Sequence, residues 1–300
     1  MQITDIPIDG SQRETTLHGT PEFPVALYHS VMSRNILGFT NWHWHDELQF
    51  CLVTEGEICF FMNERQFSIR QGDGIFIGGG CLHMAKPVGT PASSYLCLDV
   101  SHRLLCGFSG SVFERRYVSP YLHDPLMEGT ALVASIPWQN TILKEIREIS
   151  AWYENKSFGY EFEIWAALSR IWLTLLKNRT RLEEGGGRSH SRLRNNTTVQ
   201  EIIRYITRHY AERISMKKIA EAVSFSESEC CRIFKSVTRE TIFSYLQFYR
   251  ITKATEFLRG TELPISQIAY ETGFCSTSHF IKIFRERIGM TPLQYRKTLE

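Results

Sequence analysis

"ISQIAYETGFCSTSHFIKIFRERIGMTPLQYR", residues 265–296, decides how the C-terminal third of this 300-residue chain folds. Ile265, Ile268 and Ala269 share one face of a short helix, and Gly273 supplies the positive φ that a tight inter-helix turn often requires. At 100° per residue, Phe280, Ile283, Phe284 and Ile288 fall on one side of the next helix. Ser278, Lys282 and Arg285 fall on the other, facing water or DNA. Gly289 can close that helix with a left-handed cap, and Pro292 sits in the first turn of its successor. The expected unit is a helix-turn-helix, whose second helix enters a major groove.

Working outward, "MKKIAEAVSFSESECCRIFKSVTRETIFSYL", residues 216–246, repeats the plan. Ile219, Ala220 and Phe225 match Ile268, Ala269 and Phe274 at an offset of 49. Phe234, Thr241 and Tyr245 match Phe284, Thr291 and Tyr295 at an offset of 50, so the second copy has one extra residue in its turn. In the first copy Ser224 and Arg239 stand where glycine would be easiest; a left-handed conformation there costs about 1 kcal/mol more than glycine would. Glu227 and Glu229 suit the positive end of their helix dipole but repel phosphates. "SYLQFYRITKATEFLRG" suits a long helix joining the copies.

These residues closely resemble the signature of AraC/XylS-type transcription regulators: I-A-x-x-x-G-F at the turn, F-x-x-x-F in the recognition helix, then G-x-T-P-x-x-Y-R. The two-module pattern covers about a hundred C-terminal residues, an ordinary domain length. The resemblance implies sequence-specific binding of double-stranded promoter DNA, with the recognition helices in successive major grooves about 34 Å apart. Carried over position by position, it implies that Ser278, His279 and Lys282 read DNA, with Arg285 on the same polar side. In the first module the matching positions are Ser228, Glu229 and Arg232, with Lys235 near the backbone. Arg232 suits a bidentate contact to guanine, Glu229 a cytosine amino group, and Lys282 a base or a phosphate. The family also implies a homodimer, a small-molecule effector, and activation, hence RNA polymerase as a partner.

"HWHDELQF", residues 43–50, opens the other half's chemistry. As a strand it would place His43, His45, Glu47, Gln49 and Cys51 on one face. With "GDGIFIGGGCLH", residues 72–83, it resembles the two motifs of a cupin. Gln49 stands in the glutamate slot, Gly56 and Gly72 are in register, and Gly78 replaces proline before Gly80 and His83. His43, His45, Gln49 and His83 are therefore the expected ligand-binding residues. The three histidines could hold a divalent metal, with Cys51 or Cys81 as an added soft ligand. They would serve equally well as hydrogen-bond donors to an organic ligand. No cofactor follows from the residues alone. Trp42, Trp44, Phe50, Phe60 and Phe76 divide between pocket wall and core.

The expected architecture is α+β and multidomain. A polar N-terminal arm (residues 1–20), able to order on ligand binding, precedes a cupin-like β-barrel (21–135) of short strands. A helical region (136–180) follows, with Ile142, Ile146, Ile149 and Tyr153 in one apolar stripe that either dimerises or packs on its own barrel. Residues 181–198, with three consecutive glycines, read as a flexible linker to an all-α DNA-binding domain with two helix-turn-helix modules (199–300).

Charge follows the same division. Residues 1–187 hold 15 Lys and Arg against 21 Asp and Glu, a net −6, and residues 188–300 hold 19 against 11, a net +8. Only the second half is suited to a polyanion. No apolar run reaches the roughly 20 residues that span a bilayer, so no membrane is implicated. The N-terminus carries no secretory pattern, and the eight cysteines form no regular framework, which suits reduced thiols in a cytoplasm. Two other classes stay open. A metal-dependent cupin enzyme on a DNA tether predicts stoichiometric metal and turnover; a ligand-independent architectural binder predicts a promoter indifferent to any metabolite. The expectation here is a non-enzymatic regulator.

Overall fold

The computed structural model describes residues 6–9, 12–35, 37–62, 65–90, 92–122, 124–178 and 190–298. It divides at residues 193 and 194 into two compact units. Among its described residues the first contains nine strands: β1 (Val25–Val31), β2 (Thr40–His43), β3 (Leu48–Glu55), β4 (Glu57–Met62), β5 (Arg65–Arg70), β6 (Gly74–Ile77), β7 (His83–Pro87), β8 (Ser94–Val100) and β9 (Gly129–Leu132). They form a five-stranded sheet, ordered β1-β8-β3-β6-β9, and a four-stranded sheet, ordered β2-β7-β4-β5. A short helix α1 (Arg103–Cys106) precedes β9, and α2 (Pro137–Asn155) and α3 (Tyr160–Lys177) follow it.

Alternation along β3 sorts the larger sheet. Leu48, Phe50 and Leu52 pack with Ile142, Ile146 and Ile149 of α2 and with Ile164, Leu168 and Ile171 of α3. Cys51 and Val53 point the other way, joining Ile58, Phe60 and Met62 of the smaller sheet inside the barrel. Covered on both faces, β3 is buried from Leu48 to Val53, the polar Gln49 included. Phe50 and Phe76, candidates for the pocket wall, lie instead on the helix-facing side, whereas Trp42 is buried core and Phe60 both joins the core and lines the pocket. The stripe of α2 is spent on its own barrel: Ile142, Ile146 and Ile149 have no exposed surface.

Among the described residues, the named elements of the second unit are all helices. Its elements are α4 (His190–His209), α5 (Met216–Val223), α6 (Glu227–Thr238), α7 (Ile242–Gly260), α8 (Ile265–Glu271), α9 (Thr277–Ile288) and α10 (Pro292–Lys297). The expected linker ends sooner than its composition suggests. Residues 181–189 lie outside the described residues, while 190–198 are the first turns of α4. Val199, Ile202, Ile203 and Ile206 of that helix are fully buried, and such a stripe draws preceding polar residues into the helix once nucleation is met. Among the described residues, no helix is long and apolar enough to cross a membrane.

Candidate functional site

Each module builds its second helix with a serine cap. Ser226 accepts from the Glu229 N–H at the start of α6, and Ser276 accepts from the His279 N–H at the start of α9. Cys230, Ile233, Phe234 and Val237 bury one side of α6, and Phe280 and Phe284 anchor α9. The opposite sides carry Ser228, Glu229, Arg232 and Lys235, and Ser278, His279, Lys282 and Arg285, all exposed. Turn chemistry matches the expectation: Ser224 (φ 58°), Arg239 (φ 62°), Gly273 (φ 81°) and Gly289 (φ 85°) are all left-handed. Glu229 is partly engaged, since its carboxylate accepts from the Ser226 hydroxyl at 3.0 Å. Lys282 makes only a loose 4.0 Å pair with Glu286, which contributes little at an exposed site.

The second candidate site lies inside the barrel. "HWHDELQF" is not one strand: β2 ends at His43 in the smaller sheet, and β3 begins at Leu48 in the larger one. Bridging the two sheets, the segment still converges on His43, His45 and Gln49, but Glu47 is left at the rim with its side chain 24% exposed. The triple glycine sets the floor of this corner. A Cβ on Gly79 would lie 2.5 Å from the Asp46 carbonyl oxygen, and one on Gly78 would lie 2.4 Å from that of Met127. The backbone therefore passes close behind the first histidine motif and delivers His83, paired across from His43.

His43, His45 and His83 are all buried, each offering a ligand atom within 4.8 Å of the others'. His43 Nδ1 donates to the Asn41 carbonyl at 2.7 Å, and His83 Nδ1 donates to the Cys81 carbonyl at 2.9 Å. A carbonyl can only accept, so both rings carry the proton on Nδ1 and turn an Nε2 lone pair inward. Cys51 and Cys81 do not join this group; among the described residues it consists of the three histidines. Gln49 turns its amide to Asp99, 3.0 Å away across the β3–β8 pair, and to His45 at 3.3 Å.

The N-terminal arm is seated on this pocket. Arg13 bridges to Trp44 and pairs with Asp46, and the Glu14 N–H donates to the Trp44 carbonyl at 2.9 Å. Glu14 and His18, polar residues in a segment expected to be a free arm, are buried at 9% and 8% exposure. The charge of His18 explains this: Glu14 Oε2 lies 3.6 Å from His18 Nε2, with His43 Nε2 3.9 Å away. His18 Nδ1 lies 3.1 Å from the Tyr28 hydroxyl and 3.5 Å from Asp99. The remaining space among Glu14, His43, Gln49, His83 and Asp99 is about 10 Å³.

Two family profiles match: "AraC-like ligand binding domain" over residues 35–133, and "Helix-turn-helix domain" over 219–298. An uncharacterized HTH-type transcriptional regulator of Bacillus subtilis (strain 168), YdeC, is 35% identical over 290 residues, 97% of each chain. The chain belongs to the AraC family. The melibiose operon regulatory protein of Escherichia coli (strain K12) is similar along most of its length, 23% identical over 85% of this chain and 83% of that one. The regulatory protein SoxS of the same organism is 32% identical over 34% of this chain and 94% of its own. This AraC-family member is thus a transcription regulator with an N-terminal ligand-binding domain and a C-terminal DNA-binding domain.

In this family member Glu14, His18, Tyr28 and Asp99 were not singled out from sequence. One signal was present: Asp99 closes the apolar strand "SYLCLDV", where an acid predicts a buried polar partner. The arm residues had none.

Burial, aided by the charge of His83, holds His43 and His45 well below the usual imidazole value, and burial holds His83 below it too. Burial alone would lower His18, but its bond to Glu14 and the charges of Asp99 and Glu14 push it up to about 9. Burial pushes Asp99 up to about 6, against the opposing charge of His18. As pH falls below about 6.5, the unfolded histidines protonate while the three folded ones resist, so stability drops by up to about 1.4 kcal/mol per pH unit for each. Asp99, protonated more readily when folded, offsets one of them below about 6. His18 acts in the other direction, stabilising at neutral pH and losing that contribution as pH rises through about 9. Because His18 opposes the three rings near neutrality, the barrel's melting midpoint is expected to change little from about pH 7.5 to 6.5 and to fall increasingly steeply below that. A midpoint that stays flat from about pH 6.5 to 5 would mean that the three rings are not held neutral.

Proposed function

We propose that this regulator reads promoter DNA through the exposed faces of α6 and α9, and that the pocket of His43, His45, Gln49 and His83 takes the effector that controls it. The observation that carries this is the equivalence of the two modules. Each presents one polar face on a helix whose other face is buried, and the faces hold Arg232 and Lys235 in one module and Lys282 and Arg285 in the other. Ser228, Glu229, Ser278 and His279 sit in the first turns, where recognition helices meet base edges. α7 is the spacer that sets the two helices to successive major grooves.

The protein acts in the cytoplasm as a homodimer and activates by engaging RNA polymerase; it catalyses no reaction. Phe162, Trp165 and Leu173 on the outer side of α3 are 71%, 39% and 44% exposed. Spaced as one helical stripe, they are the face that meets a second copy. Capture and sequencing of genomic fragments bound by the purified protein tests the whole proposal: enrichment of defined promoter sites supports it, and no preference over random competitor overturns it. Lys282→Ala is expected to weaken binding and reduce the salt slope by about 0.9, the effect of one lost phosphate contact. Arg232→Ala is expected to relax preference at one base position by about 1–3 kcal/mol. An unchanged sequence logo for that variant would remove Arg232 from direct readout.

A further inference from the structure

The pocket is the wrong size for what such a domain is usually supposed to hold. Organic ligands fill cavities of roughly 300–1,000 Å³, whereas the space beneath the seated arm, about 10 Å³, is that of one water or one ion. One nitrogen of its lining needs a partner. His83 Nε2 is buried and has no hydrogen-bond partner, and its proton is fixed on the far nitrogen by Cys81. His43 Nε2 is oriented in the same way by Asn41. A buried acceptor left unmatched costs about 1–3 kcal/mol, and a cation satisfies several converging lone pairs at once.

Metal–nitrogen distances of about 2.0–2.1 Å set ligand–ligand edges of about 3.4 Å in a tetrahedron. The histidine donor atoms, within 4.8 Å of one another, reach that spacing through ring movements of about 0.8 Å each. The carboxylate comes from an unexpected place. Gln49 occupies the strand position where an acid would complete the set, and its amide is committed to Asp99. Glu14 of the arm instead brings Oε2 to 3.9 Å from His43 Nε2, close to one tetrahedral edge. Its Oε2 lies 3.6 Å from His18 Nε2, and a carboxylate has two oxygens, so it can keep that partner while it meets a cation.

We propose that His43, His45 and His83 bind a divalent transition metal of the zinc class, with Glu14 of the N-terminal arm as the fourth ligand. Metal occupancy then fastens the arm across the barrel mouth. Three imidazoles and one carboxylate suit Zn²⁺ or Co²⁺ and disfavour Mg²⁺ and Ca²⁺, which take oxygen ligands. This rests on the pocket being the sensor site and names the ligand class it senses.

The test is titration of chelator-stripped, full-length protein with Co²⁺, read by its visible d–d absorption. One equivalent with the intense bands of a four-coordinate site is expected. Glu14→Gln is expected to weaken binding at least tenfold and shift the bands towards higher coordination, and His83→Gln to abolish them. His29→Gln, at an exposed ring paired with Glu154, leaves the titration unchanged. Trypsin cleavage after Arg13 slows on metal addition in the wild type and not in Glu14→Gln, a readout that also shows whether each variant's barrel stays protease-resistant. Absence of saturable Co²⁺ binding overturns the proposal, as does binding indifferent to Glu14→Gln. Because none of these measurements involves DNA, a metal-free protein that still selects promoter fragments and responds to an organic metabolite would sink the metal site alone.

Discussion

Phe284→Ala is expected to cost about 3–5 kcal/mol, the usual range for emptying a fully buried phenylalanine site. The ring has no exposed surface. Its centroid lies 5.6 Å from Phe280 and 5.8 Å from Tyr295, and the same cluster holds Ile251 and Leu258 of α7 and Ile268 of α8. One side chain thus joins four helices, and the three smallest, α8, α9 and α10, have little else to bury. Marginal stability of 5–15 kcal/mol for a whole domain leaves small room for such a loss. Amide exchange across residues 265–297 should accelerate by two to three orders of magnitude, and DNA binding should fall with it. Barrel amides should keep their protection, since the ring lies in the other compact unit. Unchanged exchange in α9 would show that the aromatic cluster is not what holds the module together.

Gly273→Ala strikes the same module through its backbone. The position has φ 81°, where an L-residue costs about 1 kcal/mol. Space is short as well: a Cβ would lie 2.6 Å from the Tyr210 carbonyl oxygen and 2.8 Å from Arg250 Nη2. Arg250 cannot simply withdraw, because Nε and Nη2 donate to the Tyr210 and Glu212 carbonyls at 2.8 and 2.9 Å. Overpacking of this kind adds about 1–3 kcal/mol, for an expected total of about 2–4 kcal/mol. Tyr210 follows α4 and Arg250 lies on α7, so the turn is the junction between the second module and the rest of its unit. The variant is expected to keep a folded first module and lose the second module's contribution to DNA affinity. Wild-type affinity together with wild-type melting would show that the junction tolerates the methyl group.

The two halves of the chain were legible to different degrees. In the DNA-binding unit the exposed positions from Ser228 to Arg285 and the left-handed residues Ser224 and Arg239 could be placed from spacing, since each depends on neighbours within a turn or two of helix. The linker was overextended because Ser, Asn and Arg at residues 191–196 look like coil, and only burial of Val199 and Ile202 commits them to α4. In the barrel a motif marks the histidines, yet no single strand runs through them. The segment changes sheets between His43 and Leu48, and alternation carries no information about such a crossing. The helical stripe around Ile146 left two outcomes open, and the sheet beneath it chose one.

Sequence by itself determined that this chain ends in two helix-turn-helix modules with one polar face each. Helical period and the conformational limits of particular residues are local properties, written within a few positions of one another. Only the tertiary structure decided what surrounds the three histidines. Asp99 reaches Gln49 from fifty residues away through strand pairing, and Glu14 and His18 arrive from the arm by charge pairing. Contacts made across such separations leave no periodic trace in the chain, because the burial that makes them favourable exists only once the sheets and the arm have closed over them.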